Sequence, residues 1–131
     1  MISILLVALA AACNAVMDVL SFHYKQSIFT KFNPQWWNPA ISWKNKYVSD
    51  TYSGVNISIR RKLYFGSLFM INYPVFLTDA WHFFKSLMIV LLGFAIVLYN
   101  PVINVFVDII LIGLAWNLTF NVLYDKVFRK G

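Results

Sequence analysis

Three long apolar runs constrain this chain more than any other feature: Ile2 to Phe22, Ala80 to Tyr99 and Val102 to Leu123. Each is close to the roughly 20 helical residues that cross a bilayer core about 30 Å thick. In lipid only helices and closed barrels satisfy the backbone, and these runs lack the period-two alternation of barrel strands. The expectation is an all-α integral membrane protein with three transmembrane helices. Composition agrees. Hydrophobic residues make up 60% of the 131 and charged residues 12%, against about 25% charged in a soluble domain. The length leaves room for one membrane domain. It divides into a first helix at about 2–22, a connection at 24–78 and a helical hairpin at about 79–124.

Every acid is an aspartate, and the formal charge is +6. The basic residues cluster beside the apolar runs, which points to anionic lipid headgroups and away from nucleic acid. Lone Cys13 excludes an intramolecular disulfide. Tyr99-Asn100-Pro101 separates the second and third runs, because the residue before proline is driven out of helical geometry. A tight antiparallel hairpin is expected there.

Charge also predicts orientation. The long connection carries Lys25, Lys31, Lys44, Lys46, Arg60, Arg61 and Lys62 against Asp50. The last residues carry Lys126, Arg129 and Lys130 against Asp125. Positive loops stay in the cytoplasm. Three spans then give N-out and C-in, with both basic segments on one side. A signal peptide ending in Ala10-Ala11-Ala12-Cys13 is the competing reading of the first run. It lacks a basic n-region, and the apolar stretch continues past Cys13.

With this topology, polar residues of all three helices gather in the cytoplasmic half of the bilayer. The first helix brings Asn14, Asp18 and Ser21 on one face. The second opens with Thr78, Asp79, His82, Lys85 and Ser86 within an arc of roughly 120°. The third brings Asn117, Asn121 and Asp125. Thr78 or Asp79 is placed to cap the second helix. A structural reading makes the cluster interhelical glue, with Asp18 paired to Lys85. A functional reading makes Asp18, Asp79, His82 and Lys85 a site open to the cytoplasm, because ionisable residues inside a membrane are functional candidates.

Asp79-x-x-His82 has the i, i+3 spacing of helical metal ligands. Asp18 and His23 are the residues that would add to it, although no HExxH or CxxC is present. No cofactor-binding signature stands out. Asp108 has no basic residue on its side of the membrane. It is expected to be protonated, bonded to Asn104, turned toward a partner subunit, or hydrated near the outer interface.

The segment Asn33-Pro34-Gln35-Trp36-Trp37-Asn38-Pro39 through Trp43-Lys44-Asn45-Lys46-Tyr47 reads as an ordered aromatic loop at the membrane interface. Trp36, Trp37 and Trp43 are expected at headgroup depth, with Lys44, Lys46, Arg60, Arg61 and Lys62 above them. Leu63 to Leu77 is apolar but is interrupted by Gly66 and Pro74, and it is expected to be interfacial or re-entrant. NPQWWNPAISWKNKY, followed by TDAWHFFK, resembles elements of a set of uncharacterised small integral membrane proteins from Bacteroidota and their phages. The resemblance runs from about Ser21 to Ser86. It implies a bacterial inner membrane and no particular activity.

Three functions compete. The first is a non-enzymatic accessory or structural subunit of a membrane assembly, or a homo-oligomer. It rests on small size, the absence of catalytic signatures and an unpartnered Asp108. The second is a small membrane enzyme or lipid-headgroup-binding protein built on the Asp/His/Lys cluster. The third is a holin-like pore former, which the long aromatic loop argues against.

Overall fold

The computed structural model describes residues 1–46, 63–65, 69–71 and 75–130. Helix α1 (Ile2–Phe22) leads into short 3-10 turns and two single-turn helices, α2 (Pro34–Trp37) and α3 (Pro39–Ser42). Strands β1 (Leu63–Phe65) and β2 (Phe69–Ile71) pair antiparallel, with Tyr64 opposite Met70. Then come α4 (Ala80–Val97) and α5 (Val105–Asn121), the latter continued by wider π-helical winding over Val122–Phe128. The architecture is helical, and Ile2–Phe22, Ala80–Val97 and Val105–Phe128 are each long and apolar enough to span a membrane.

The Asn-Pro steps of the loop do more than mark turns. Asn33 and Asn38 cap α2 and α3, their side chains accepting from the backbone N–H of Gln35 (2.9 Å) and Ala40 (3.1 Å). Pro34 and Pro39 follow in the first helical position, where a missing N–H costs nothing. The stretch expected to be interfacial or re-entrant contains the β1–β2 ladder and a 3-10 turn at Val75–Leu77.

Helix α1 is the centre of the bundle. Half of its apolar window is buried, against 11% of that of α4 and 6% of that of α5. Ala10, Ala11 and Ala15 are completely buried, because small side chains let neighbouring backbones approach closely. The Ala10–Cys13 stretch is therefore mostly packing surface.

The tight hairpin expected of α4 and α5 is not what forms. Both pack extensively against α1 and barely touch one another. The turn makes the helices antiparallel, but the alanine face of α1 offers the closer partner. The helix ends are also trimmed to Val97 and Val105. Asn104 sets the start of α5 by accepting from the N–H groups of Phe106 and Val107, both at 3.1 Å.

The three helices alternate in direction. At one end Ser3 Oγ donates to the Leu98 carbonyl (3.2 Å); this is the turn end. At the other, the loop end, Trp81 Nε1 donates to Ser21 Oγ (3.1 Å), and His23 meets the Tyr124 ring edge-on at 5.7 Å. A bridge between Ser27 and Arg129 joins the residues after α1 to those after α5.

Candidate functional site

The loop end of α4 is where the sequence concentrates ionisable residues. Asp79 is 2% exposed and caps the helix. Its Oδ1 accepts from the His82 backbone N–H at 2.9 Å. Its Oδ2 accepts from Thr78 Oγ1 at 3.1 Å and lies 2.7 Å from His82 Nδ1. A carboxylate without a proton only accepts, so opposite that form of Asp79 the hydrogen of this contact is carried by Nδ1. The His82 side chain is 27% exposed. This pair can orient an imidazole as a base, a ligand or a hydrogen-bond partner.

The other candidates are arranged differently. Lys85 is exposed, and its Nζ lies 4.9 Å from the centroid of the Trp81 ring. Asp18 accepts from Asn14 Nδ2 at 3.5 Å, one turn back on its own helix. Among the described residues, no ion pair joins Asp18 to His82 or Lys85. His23 lines an open hollow of about 510 Å³ with Lys25, Asn38 and Ala40, and neither Asp79 nor His82 lines it. Asn117 donates to the Gly113 carbonyl (2.8 Å) within α5, and Asn117 and Asn121 are both exposed. Among the described residues, no group of three or more His, Cys, Asp or Glu is placed to hold a metal ion.

Of the residues expected at lipid headgroups, Trp36 and Trp37 are half-buried on the bundle. Trp37 stacks on Phe29, with centroids 4.7 Å apart and planes 7° apart, and it also meets Phe84 at 5.9 Å. Trp36 meets Phe83 at 5.8 Å. Trp43 and Lys44 are exposed, and Trp43 Nε1 donates to the Ala40 carbonyl. Arg60, Arg61, Lys62 and the side chain of Lys46 lie outside the described residues.

Two structural roles were not expected. Asn45 Nδ2 donates to the carbonyls of Gln35 (2.6 Å) and Thr78 (2.8 Å), and Asn45 Oδ1 accepts from Gln35 Nε2. It ties the aromatic loop to the residue before the Asp79 cap. Nothing in the sequence distinguishes Asn45 from its polar neighbours.

Asp108 is 1% exposed, and at the turn end it accepts from Tyr99 Oη (3.0 Å), Val102 N (2.9 Å) and Ile103 N (3.3 Å). It therefore neither bonds the Asn104 side chain nor sits hydrated at an interface, and it has partners within its own chain. The position of an acid one turn into a helix, after a proline turn with free N–H groups, was the available signal.

No protein-family model matches the chain, and no curated protein or solved structure is significantly similar to it.

Proposed function

We propose that this is a small polytopic membrane protein that acts by association, as an accessory or structural subunit of a membrane assembly. One observation carries the reading: the polar groups Asp79, Asp108 and Asn45 are engaged in holding the fold together. Asp79 caps α4, Asp108 organises the α4–α5 connection, and Asn45 fastens the loop to the start of α4. Asp108, expected to lack a partner, has its partners within the chain. The apolar side chains Ile89, Val90, Phe94, Ile109, Ile110, Leu114 and Leu118 of α4 and α5 are exposed along the span and are available to lipid or to partner helices.

The proposed orientation puts the loop end in the cytoplasm, by the excess of lysine and arginine there. The resemblance to bacterial membrane proteins makes the inner membrane the proposed compartment. Photo-crosslinking from α4 and α5 positions in native membranes, followed by mild detergent extraction, tests the proposal. A stoichiometric protein partner, or a defined homo-oligomer, is the expected result. Crosslinks to lipid alone would overturn it.

A second reading is favoured by the Asp79–His82 pair. Its geometry suits a functional imidazole, in an enzyme or a headgroup-binding protein. Loss of function in His82→Gln at unchanged stability would move the assignment to this reading.

A further inference from the structure

An open apolar groove of about 480 Å³ runs between α1 and α4. Leu9, Ala12, Cys13 and Val16 form one wall, and Phe84, Leu87 and Leu91 the other. The seven-residue steps from Leu9 to Val16 and from Phe84 to Leu91 each measure about 10 Å along a helix, less than one leaflet of a core about 30 Å thick. Toward the loop end, Phe29 and Phe128 also line the groove, with ring centroids 5.2 Å apart. Each of these phenylalanines is followed directly by cationic sequence: Phe29 by Thr30-Lys31 and Phe128 by Arg129-Lys130.

The two segments are held together. Ser27 and Arg129 bridge, Lys130 N donates to the Gln26 carbonyl at 2.6 Å, and Lys130 Nζ donates to Thr30 Oγ1 at 2.9 Å. Arg129 is paired with Asp125 (3.3 Å), and among the described residues no ion pair neutralises Lys31 or Lys130. At this end of the apolar groove, the two segments that follow Phe29 and Phe128 carry Lys31 and Lys130, both exposed. Apolar lining below and positive charge above is the pattern of an anionic lipid, with the chain buried and the phosphate at the basic rim.

We infer that this groove binds a single anionic phospholipid, one acyl chain lying along Leu9–Val16 and Phe84–Leu91 and the phosphate held by Lys31 and Lys130. A second copy of the chain is a poorer fit, because its own basic loop end would bring like charges to this rim. The site is separate from the Asp79–His82 pair. It rests on the membrane location of α1 and α4 and is independent of whether the protein has a protein partner.

The test uses the full chain in nanodiscs of equal phosphatidylglycerol and phosphatidylcholine, released into mild detergent and weighed by native mass spectrometry. The expected result is one retained phosphatidylglycerol per chain. Lys31→Gln and Lys130→Gln should each lower that retention about fivefold at low salt, the worth of one lysine near an anionic surface. Lys85→Gln should leave it unchanged. Ala12→Leu, and independently Leu91→Phe, should lower retention of both lipids by filling the groove. Either groove variant suffices if the other fails to fold.

Equal retention of the two lipids by the wild type would overturn the inference. So would loss of phosphatidylglycerol with Lys85→Gln but not with the two lysine variants, or lipid-free dimers. Retention of the protein in alkali-washed membranes is measured alongside. Failure there would remove the membrane reading itself, whereas its success with no lipid preference would remove only the site.

Discussion

Tyr99 and Asp108 lock the turn between α4 and α5. The phenol of Tyr99 donates to Asp108 Oδ2 at 3.0 Å, and the same carboxylate accepts the N–H groups of Val102 and Ile103. A single buried acid therefore satisfies three donors in the segment where the chain reverses.

Both oxygens of Asp108 face backbone N–H groups, which cannot turn into acceptors. Asp108→Asn must direct its NH₂ at one of them, so the isostere should destabilise nearly as much as Asp108→Ala. The expected loss is on the order of 3 kcal/mol, from stranded buried donors and a lost charge-assisted acceptor. Thermal unfolding in detergent measures it, and an Asp108→Asn variant as stable as wild type would contradict the latch.

Asp79 should behave in the opposite way. Its Oδ1 alone faces a backbone N–H, while Oδ2 faces a hydroxyl and an imidazole, both of which can accept. Asp79→Asn should keep the cap and leave stability close to wild type. Asp79→Ala should cost about 1 kcal/mol or more through loss of the cap. If Asp79→Asn abolishes function without changing stability, ionisation of the pair matters and the chemical reading gains over association.

Asn45 donates to two carbonyls, so a carboxylate at this position would face acceptors with an acceptor. Asn45→Asp and Asn45→Ala should both loosen the aromatic loop, by about 1–3 kcal/mol if the Thr78 carbonyl is left unpaired. Limited proteolysis should then cut nearer Trp36–Trp43, with membrane insertion unaffected. Equal protease resistance in wild type and Asn45→Ala would show that the loop is held elsewhere.

The phenol of Tyr99 is pushed above its ordinary range by partial burial, with the hydrogen bond and negative charge of Asp108 adding to the shift. A raised folded-state value means that the folded protein holds the proton where the unfolded chain has lost it. The contact's contribution is complete below the unfolded value, about 10, and is lost as pH rises through the folded value. Wild-type stability should therefore fall more steeply above about pH 10 than that of Tyr99→Phe. Parallel alkaline profiles for the two proteins would exclude Tyr99 as the titrating group.

Reporters at Gly131 and near Asp50 should lie on one side of the membrane and a reporter at Asn100 on the other. The expected side for Gly131 and Asp50 is the cytoplasm. Gly131 and Asn100 on the same side would be incompatible with three spans.

The three apolar helices and the break at Asn100-Pro101 could be read from the chain itself. Span length and composition answer to the bilayer, and proline geometry is local, so neither needs a folded partner to be legible. The Asp79 cap was readable for the same reason: cap and capped N–H lie three residues apart. Which helix sits at the centre was a different matter. The sequence joins α4 to α5, but the alanines of α1 let it pack closely on both, and that choice depends on shape across elements far apart in sequence.

The partners of Asp18 and Lys85 were equally undetermined. A shared depth brings polar groups to one level, but side-chain direction decides contact. Asp18 turned to Asn14, Lys85 lay over Trp81, and the acyl-sized groove with its lysine rim appeared only once Phe29 and Phe128, distant in sequence, met at the loop end.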